Sequence, residues 1–232
     1  MSKYKIVVCD HIHQSGLDFL QKQSDVEFID YSHLKKDELL EKLEDADVAI
    51  TRSSTDVNEK FINAAHKLKA VVRAGVGVDN VDIDACSKKG IIVMNVPTAN
   101  TIAAVELTMA HIINSVRNFP GANNQLKNEK IWKREDWYGT ELKGKTLGII
   151  GFGNIGSRVA SRAKAFEMEV IAYDPYVKDS VIIDAGMVCA KHIDDILKCD
   201  IITVHTPKNS ETKNMITKNE IAKMKAMWIP KI

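Results

Sequence analysis

The sequence lacks most of the features that would settle its class at a glance. Aromatic residues are only 6% of its 232 positions, and 32 Lys and Arg against 31 Asp and Glu leave a formal net charge of +1. With no excess of one sign and no basic block, attraction to a polyanion does not organise the surface, so nucleic acid and membrane surface are not expected partners. No stretch approaches the ~20 apolar residues that cross a bilayer. The opening Met1-Ser2-Lys3-Tyr4-Lys5 leads into Ile6-Val7-Val8-Cys9, too short an apolar run for a secretory leader. Cysteine is sparse and scattered: Cys9, Cys86, Cys189 and Cys199 form no C-x-x-C pair and have no His at ligand spacing. They read as small buried side chains in a reducing compartment, and a cytoplasmic protein without a metal is expected. What is present is ordinary: 45% hydrophobic and 27% charged residues, a balance that excludes disordered, collagen-like and low-complexity chains.

Strand-length apolar runs recur at 5–9, 26–29, 47–51, 69–73 and 91–94, with amphipathic stretches at 14–22, 35–44 and 58–67 between the first four. Short strands apolar on both faces and separated by helical patterns predict a parallel sheet covered on both sides. This α/β unit is expected to close near residue 95, giving a first domain over 1–97 and a second over 98–232. A long helical pattern follows from Asn100 to Arg117, with Thr98, Asn100 and Thr101 as cap candidates and Pro120-Gly121 as the expected stop. A polar stretch over 121–144 carries Trp132, Trp137 and Gly139, and strand–helix alternation restarts at Thr146.

There the sequence reads T-L-G-I-I-G-F-G-N-I-G over 146–156. A buried strand runs into Gly151-x-Gly153-x-x-Gly156, with Asn154 and Ile155 between the last two glycines, and a helical pattern begins at once. In that context Gly151 permits the tight turn, Gly153 admits a pyrophosphate against the backbone, and Gly156 lets helix and strand pack closely. The helix N-terminus offers N–H donors and partial positive charge to the phosphates. The next strand, Glu169 to Tyr173, ends at Asp174, eighteen residues beyond Gly156. A carboxylate there is placed for the adenosine ribose hydroxyls and would repel a 2′-phosphate, which favours NAD over NADP. The alternative is a structural turn with Asp174 as a cap. A third strand, Asp200 to Val204, leads to His205-Thr206-Pro207, and its position after a strand end makes Thr206 a cofactor neighbour. His205 reads as a structural imidazole rather than a catalytic base. The His11-x-His13 pair lacks a third ligand at suitable spacing, so no metal is assigned.

These stretches, taken together, resemble the D-2-hydroxyacid dehydrogenase family, and within it the branch that oxidises 3-phospho-D-glycerate. The resemblance is carried by T-R-S-S-T (51–55), R-A-G-V-G-V-D-N-V-D (73–82), G-I-I-V-M-N-V-P (90–97), A-V-E-L-T (104–108), the glycine segment 139–156, Y-D-P (173–175), I-I-T-V-H-T-P (201–207) and E-I-A-K-M-K (220–225). It implies a flavodoxin-like substrate domain and a doubly wound Rossmann domain for NAD, only part of which is present. It also implies oxidation of a D-2-hydroxyacid, here to 3-phosphohydroxypyruvate, the first step of serine biosynthesis. By the same resemblance, Gly75, Val76 and Gly77 form the loop whose Val76 and Gly77 N–H groups take the substrate carboxylate. Val76 also lies next to the nicotinamide, and Arg52 and Arg73 surround a doubly anionic substrate. Asp56 departs from the pattern, since relatives often carry Lys there. The helix 100–117 resembles the one through which relatives form homodimers, with Ile102, Val105, Met109, Ile112 and Ile113 as its apolar stripe.

The family's catalytic Arg, Glu and His follow the M-K at 224–225, and none of them can be assigned to a position in this sequence. The expectation is a broken reading frame or shortened record that retains the alignment apparatus and lacks the proton acceptor. A sheet missing its second half is also expected to leave strand 146–150 without its usual neighbour. The alternatives to an enzyme are a catalytically silent NAD(H)-binding module and an inactive fragment.

Overall fold

The computed structural model describes residues 4–225. The closing Ala226-Met227-Trp228-Ile229-Pro230-Lys231-Ile232 lies outside the described residues. Along the chain run β1 (Tyr4–Val8), α1 (Gln14–Gln21), β2 (Val26–Asp30), α2 (Lys36–Leu40), β3 (Val48–Thr51), α3 (Glu59–Ala64), β4 (Ala70–Arg73), α4 (Ile83–Lys88) and β5 (Ile92–Asn95). There follow α5 (Thr101–Arg117), α6 (Phe119–Asn124), β6 (Thr146–Ile150), α7 (Gly156–Ala165), β7 (Glu169–Tyr173), α8 (Asp179–Asp184), β8 (Val188–Cys189), α9 (Ile193–Ile196), β9 (Ile201–Val204) and α10 (Lys218–Lys223). The chain divides into two compact units between Asn100 and Thr101.

In the first unit five parallel strands take the order β2-β1-β3-β4-β5. That is the flavodoxin-like order, whose direction of winding reverses between β1 and β3. Val7, Ala49 and Val71 on the central strands are fully buried against Leu43 and Phe61. Local chemistry starts the helices where the sheet needs them. The Asn58 carbonyl accepts from Lys60 N (3.0 Å) and Phe61 N (3.2 Å) to cap α3, and Asp82 accepts from Ala85 N (2.9 Å) to cap α4.

The second unit holds a parallel sheet ordered β8-β7-β6-β9. Its core joins Leu147 and Ile149 of β6 to Val159 and Ala163 of α7 and to Val105, Met109 and Ile112 of α5. The apolar stripe of α5 therefore faces its own sheet, with Ile113 packed at the edge; only Ile102 stands out, 45% exposed. Asp200 ties the starts of β6 and β9 together. Its carboxylate accepts from Thr146 N and Oγ1, both at 2.8 Å, and from Lys225 Nζ at 2.8 Å. The Lys225 ammonium and the Thr146 amide hold that carboxyl down at about 2, from an ordinary 3.8.

Three expectations are corrected. First, β6 has neighbours on both sides, β7 and β9, so the edge strands of this sheet among the described residues are β8 and β9. Second, Pro120-Gly121 does not stop the long helix. Asn118, in the left-handed region at φ 47°, ends it, and Pro120 sits in the first turn of α6, where its missing N–H costs nothing. Third, the strand at 201–204 is the fourth of its sheet: β8, only two residues long, precedes it and is too short to show a period.

Candidate functional site

Each unit places a set of polar groups at the carboxyl end of its sheet, where ligands bind in open α/β sheets: at the reversal of strand order in the second unit, and after β1, β3 and β4, at and beside the reversal, in the first. In the second unit the reversal is the junction of β6 and β9. Gly151 leaves β6 at φ 93°, and a Cβ on it would lie 2.8 Å from the His205 carbonyl oxygen. A Cβ on Gly156 would lie 2.0 Å from the Gly151 carbonyl oxygen, so the first turn of α7 sits directly on the turn. Gly153 is different: nothing lies within 4 Å of where its Cβ would be. The N–H groups of Gly153, Asn154 and Ile155 donate to no acceptor among the described residues. The turn thus sets unpaired donors at the positive end of a ten-residue helix, α7, with open space at Gly153.

Asp174, at the end of β7, does more than wait for a ligand. One oxygen accepts from Phe152 N (2.8 Å), fixing the glycine turn, and the other accepts from Tyr176 N (2.9 Å) and Val177 N (3.2 Å). A carboxylate has about four lone-pair sites, so capacity remains for ribose hydroxyls. Thr206 lies just past β9 with its hydroxyl against the Met215 sulfur at 3.9 Å. The half-buried His205 ring holds Thr203 Oγ1 at 3.0 Å, and burial lowers its pKa, which favours the neutral imidazole.

In the first unit the loops after β3 and β4 adjoin, because Thr51 pairs with Arg73 in the sheet. Arg73 ends β4, and its guanidinium lies over Gly75, where a Cβ would be 1.7 Å from Nη1. The loop from Gly75 to Gly77 is held by its carbonyls: Val96 N donates to Gly75 O (2.9 Å) and Asn95 Nδ2 to Val76 O (2.7 Å). The N–H groups of Val76 and Gly77 make no hydrogen bond among the described residues. Arg52 follows β3 and donates from Nη1 to His11 O at 3.1 Å. Buried polar atoms without partners gather here too: Thr51 Oγ1, Arg73 Nε and Asn80 Oδ1. Unpaired donors beside two guanidinium groups make a site for an anion. Asp56 stands apart, paired with Lys36 Nζ at 3.0 Å.

Two residues that sequence reasoning passed over are central to this geometry. Asp10, just past β1, accepts from the main chain of Arg52 and Thr55, and Asn80 donates to the carbonyls of the same two residues. The rule that residues beyond parallel strand ends line the crevice, applied above to Thr206, would have singled out Asp10 as well. The histidine pair has a local role instead: His13 Nδ1 caps α1 by accepting from Ser15 N at 3.2 Å.

Residues 6–230 match the model of the D-isomer specific 2-hydroxyacid dehydrogenase, catalytic domain. The chain belongs to that family. It is 45% identical over 222 residues to a D-3-phosphoglycerate dehydrogenase of Methanocaldococcus jannaschii, a match covering 95% of this chain and 42% of the relative. Among solved structures, the NAD+-bound 3-phosphoglycerate dehydrogenase of Entamoeba histolytica is 33% identical with a TM-score of 0.76, covering 96% of this chain and 69% of that one. The D-lactate dehydrogenase of Aquifex aeolicus, complexed with NAD and lactic acid, is 29% identical with a TM-score of 0.81, covering 95% and 66%. The chain spans less than half the length of the D-3-phosphoglycerate dehydrogenases it matches.

Proposed function

We propose that this chain carries the substrate-anion and dinucleotide sites of an NAD-dependent D-2-hydroxyacid dehydrogenase, with 3-phospho-D-glycerate as the hydroxyacid and 3-phosphohydroxypyruvate as its product. That places it at the first step of serine biosynthesis, in the cytoplasm. The observation that carries the reading is the glycine turn, whose open Gly153 and unpaired N–H groups of 153–155 at a helix N-terminus suit an anionic pyrophosphate.

In this reading residues 1–97 take the substrate and residues 98–232 the cofactor. Gly151, Gly153, Asn154, Ile155 and Gly156 hold the pyrophosphate, Asp174 the adenosine ribose, and Thr206 borders the nicotinamide half. When bound, NAD supplies the acceptor for a hydride from the carbon bearing the hydroxyl. The protein's share is orientation: the N–H groups of Val76 and Gly77 grip the carboxylate, and Arg52 and Arg73 neutralise the second anion. None of the 232 residues is assigned the proton-accepting role. His205, whose ring is engaged by Thr203, is not given it. We further infer a homodimer in which exposed Ile102 and Leu107 of α5, 45% and 59% accessible, are covered by a second copy.

Support for NAD over NADP comes from the Asp174 carboxylate, which stands where a 2′-phosphate would meet like charge. Calorimetric titration with NADH and NADPH tests it. NADH is expected to bind the tighter, and Asp174→Ala is expected to weaken NADH by about tenfold, the loss of a charged hydrogen bond, while NADPH loses less. Equal affinities for the two cofactors, unchanged by the substitution, would remove the assignment.

A further inference from the structure

We propose that Asp10 and Asn80 are positioning residues that lock the Arg52–Thr55 segment to the 75–77 loop, so that two anion-binding points stand at one fixed separation and select dianionic hydroxyacids by length. The proposal rests on the substrate reading above and deepens it.

Asp10 follows β1 at the reversal point of the first sheet and is only 6% exposed. Among the described residues it has no ion-pair partner; donors from one short segment surround it instead. Arg52 N lies 2.5 Å from Oδ2, Thr55 N 3.2 Å from the same oxygen, and Thr55 Oγ1 2.8 Å from Oδ1. A buried carboxylate without a cation is costly, and a simple turn does not need one. From the other side, Asn80 Nδ2 donates to the carbonyls of Arg52 and Thr55, both at 2.6 Å. Both ends of the segment therefore have their N–H and C=O groups held by side chains from elsewhere in the fold.

Asn80 is itself fixed. Its carbonyl accepts from Val57 N at 2.8 Å, and Asp82 N donates back to Val57 O at 2.8 Å, a short parallel bridge at Val57 and Val81. Asn80 lies three residues past Gly77 in the same loop. The clamp consequently makes one body of the loop bearing the Val76 and Gly77 donors and the segment bearing Arg52. The Arg52 guanidinium is further steadied by the carbonyl of His11, the residue next to Asp10. A donor pair held at a set separation loses little freedom when a matching dianion binds, and leaves one end unpaired when the ligand is too short.

The test is calorimetric binding of 3-phospho-D-glycerate and of D-glycerate to the 232-residue chain in the presence of NADH. Three proteins are compared: the parent, Asn80→Asp and Thr55→Val. Asn80→Asp keeps the shape but turns a donor towards two carbonyls into an acceptor; Thr55→Val removes one donor to Asp10 and leaves the main chain. The expected result is a fall of about tenfold in the preference for the phosphorylated ligand in Asn80→Asp, as when a charged hydrogen bond is lost, and a smaller fall in Thr55→Val. D-glycerate affinity should stay close to that of the parent. A purely structural clamp would lower the melting temperature and weaken both ligands in the same proportion, which would overturn the proposal. An unchanged preference would overturn it too. If Asn80→Asp does not fold, Thr55→Val decides between the same outcomes. A folded parent chain that binds neither ligand would contradict the substrate reading itself, and the clamp with it.

Discussion

Gly153 and Gly156 belong to one motif but answer to different forces. At Gly156 the neighbour is the Gly151 carbonyl, 2.0 Å from a Cβ, with no flexible atom to give way. Gly156→Ala is expected to destabilise the second unit by about 1–3 kcal/mol, the usual cost of overpacking, read as a lowered melting temperature. At Gly153 the space is empty, so Gly153→Ala is expected to leave the melting temperature within a degree or so of the parent. The reverse order of stabilities would refute this division of roles. Asp174 makes a related point. Spacing suggested a ribose contact or a cap, and the fold adds a bond to Phe152 N that shapes the glycine turn. That second duty is invisible in sequence because it depends on where the turn folds back.

Among the elements, the parallel strands were legible almost to the residue, since short β-branched runs flanked by amphipathic stretches have one economical arrangement. The end of α5 at Arg117 was legible as well, but its cause was not. Pro120 looked like the stop; proline is harmless in a first turn, and it is Asn118, at φ 47°, that ends the helix. The two-residue β8 offered no period at all. The Asp200 tie between β6 and β9 gives an element-scale prediction. Its carboxyl titrates at about 2 in the folded chain against an ordinary 3.8, so the folded state holds fewer protons there than the unfolded one. The stabilisation is present above the unfolded value and is lost as pH falls from about 3.8 towards about 2. Asp200→Asn is expected to lower the melting temperature at neutral pH and to flatten its decline across that window. A variant whose acid limb matches the parent's would contradict the tie.

For the molecule as a whole, both units are parallel sheets whose winding reverses, and both set unpaired donors beyond the carboxyl ends of their strands: the 153–155 turn after β6, at the reversal in one, and the 76–77 loop after β4, one strand from the reversal in the other. The glycine turn was readable because its strand, turn, helix and acid are contiguous. The clamp of Asp10 and Asn80 was not, because its bonds join residues 42 and 28 positions apart; Asp10 lies in no motif, and Asn80 stood in the 73–82 stretch with no role of its own. The stripe of α5 illustrates the same limit: Val105, Met109 and Ile112 fit a core and an interface equally until the sheet they cover is in place. The central claim is that the second unit binds a dinucleotide through the open Gly153 position. Its most direct test is a fluorescence titration of NADH into the parent chain and into Gly153→Ala, with melting curves for both. The account predicts saturable binding by the parent and a loss of about tenfold or more in a variant that melts with it. A folded parent that leaves NADH free, or a Gly153→Ala chain that binds it as well as the parent, would contradict the account.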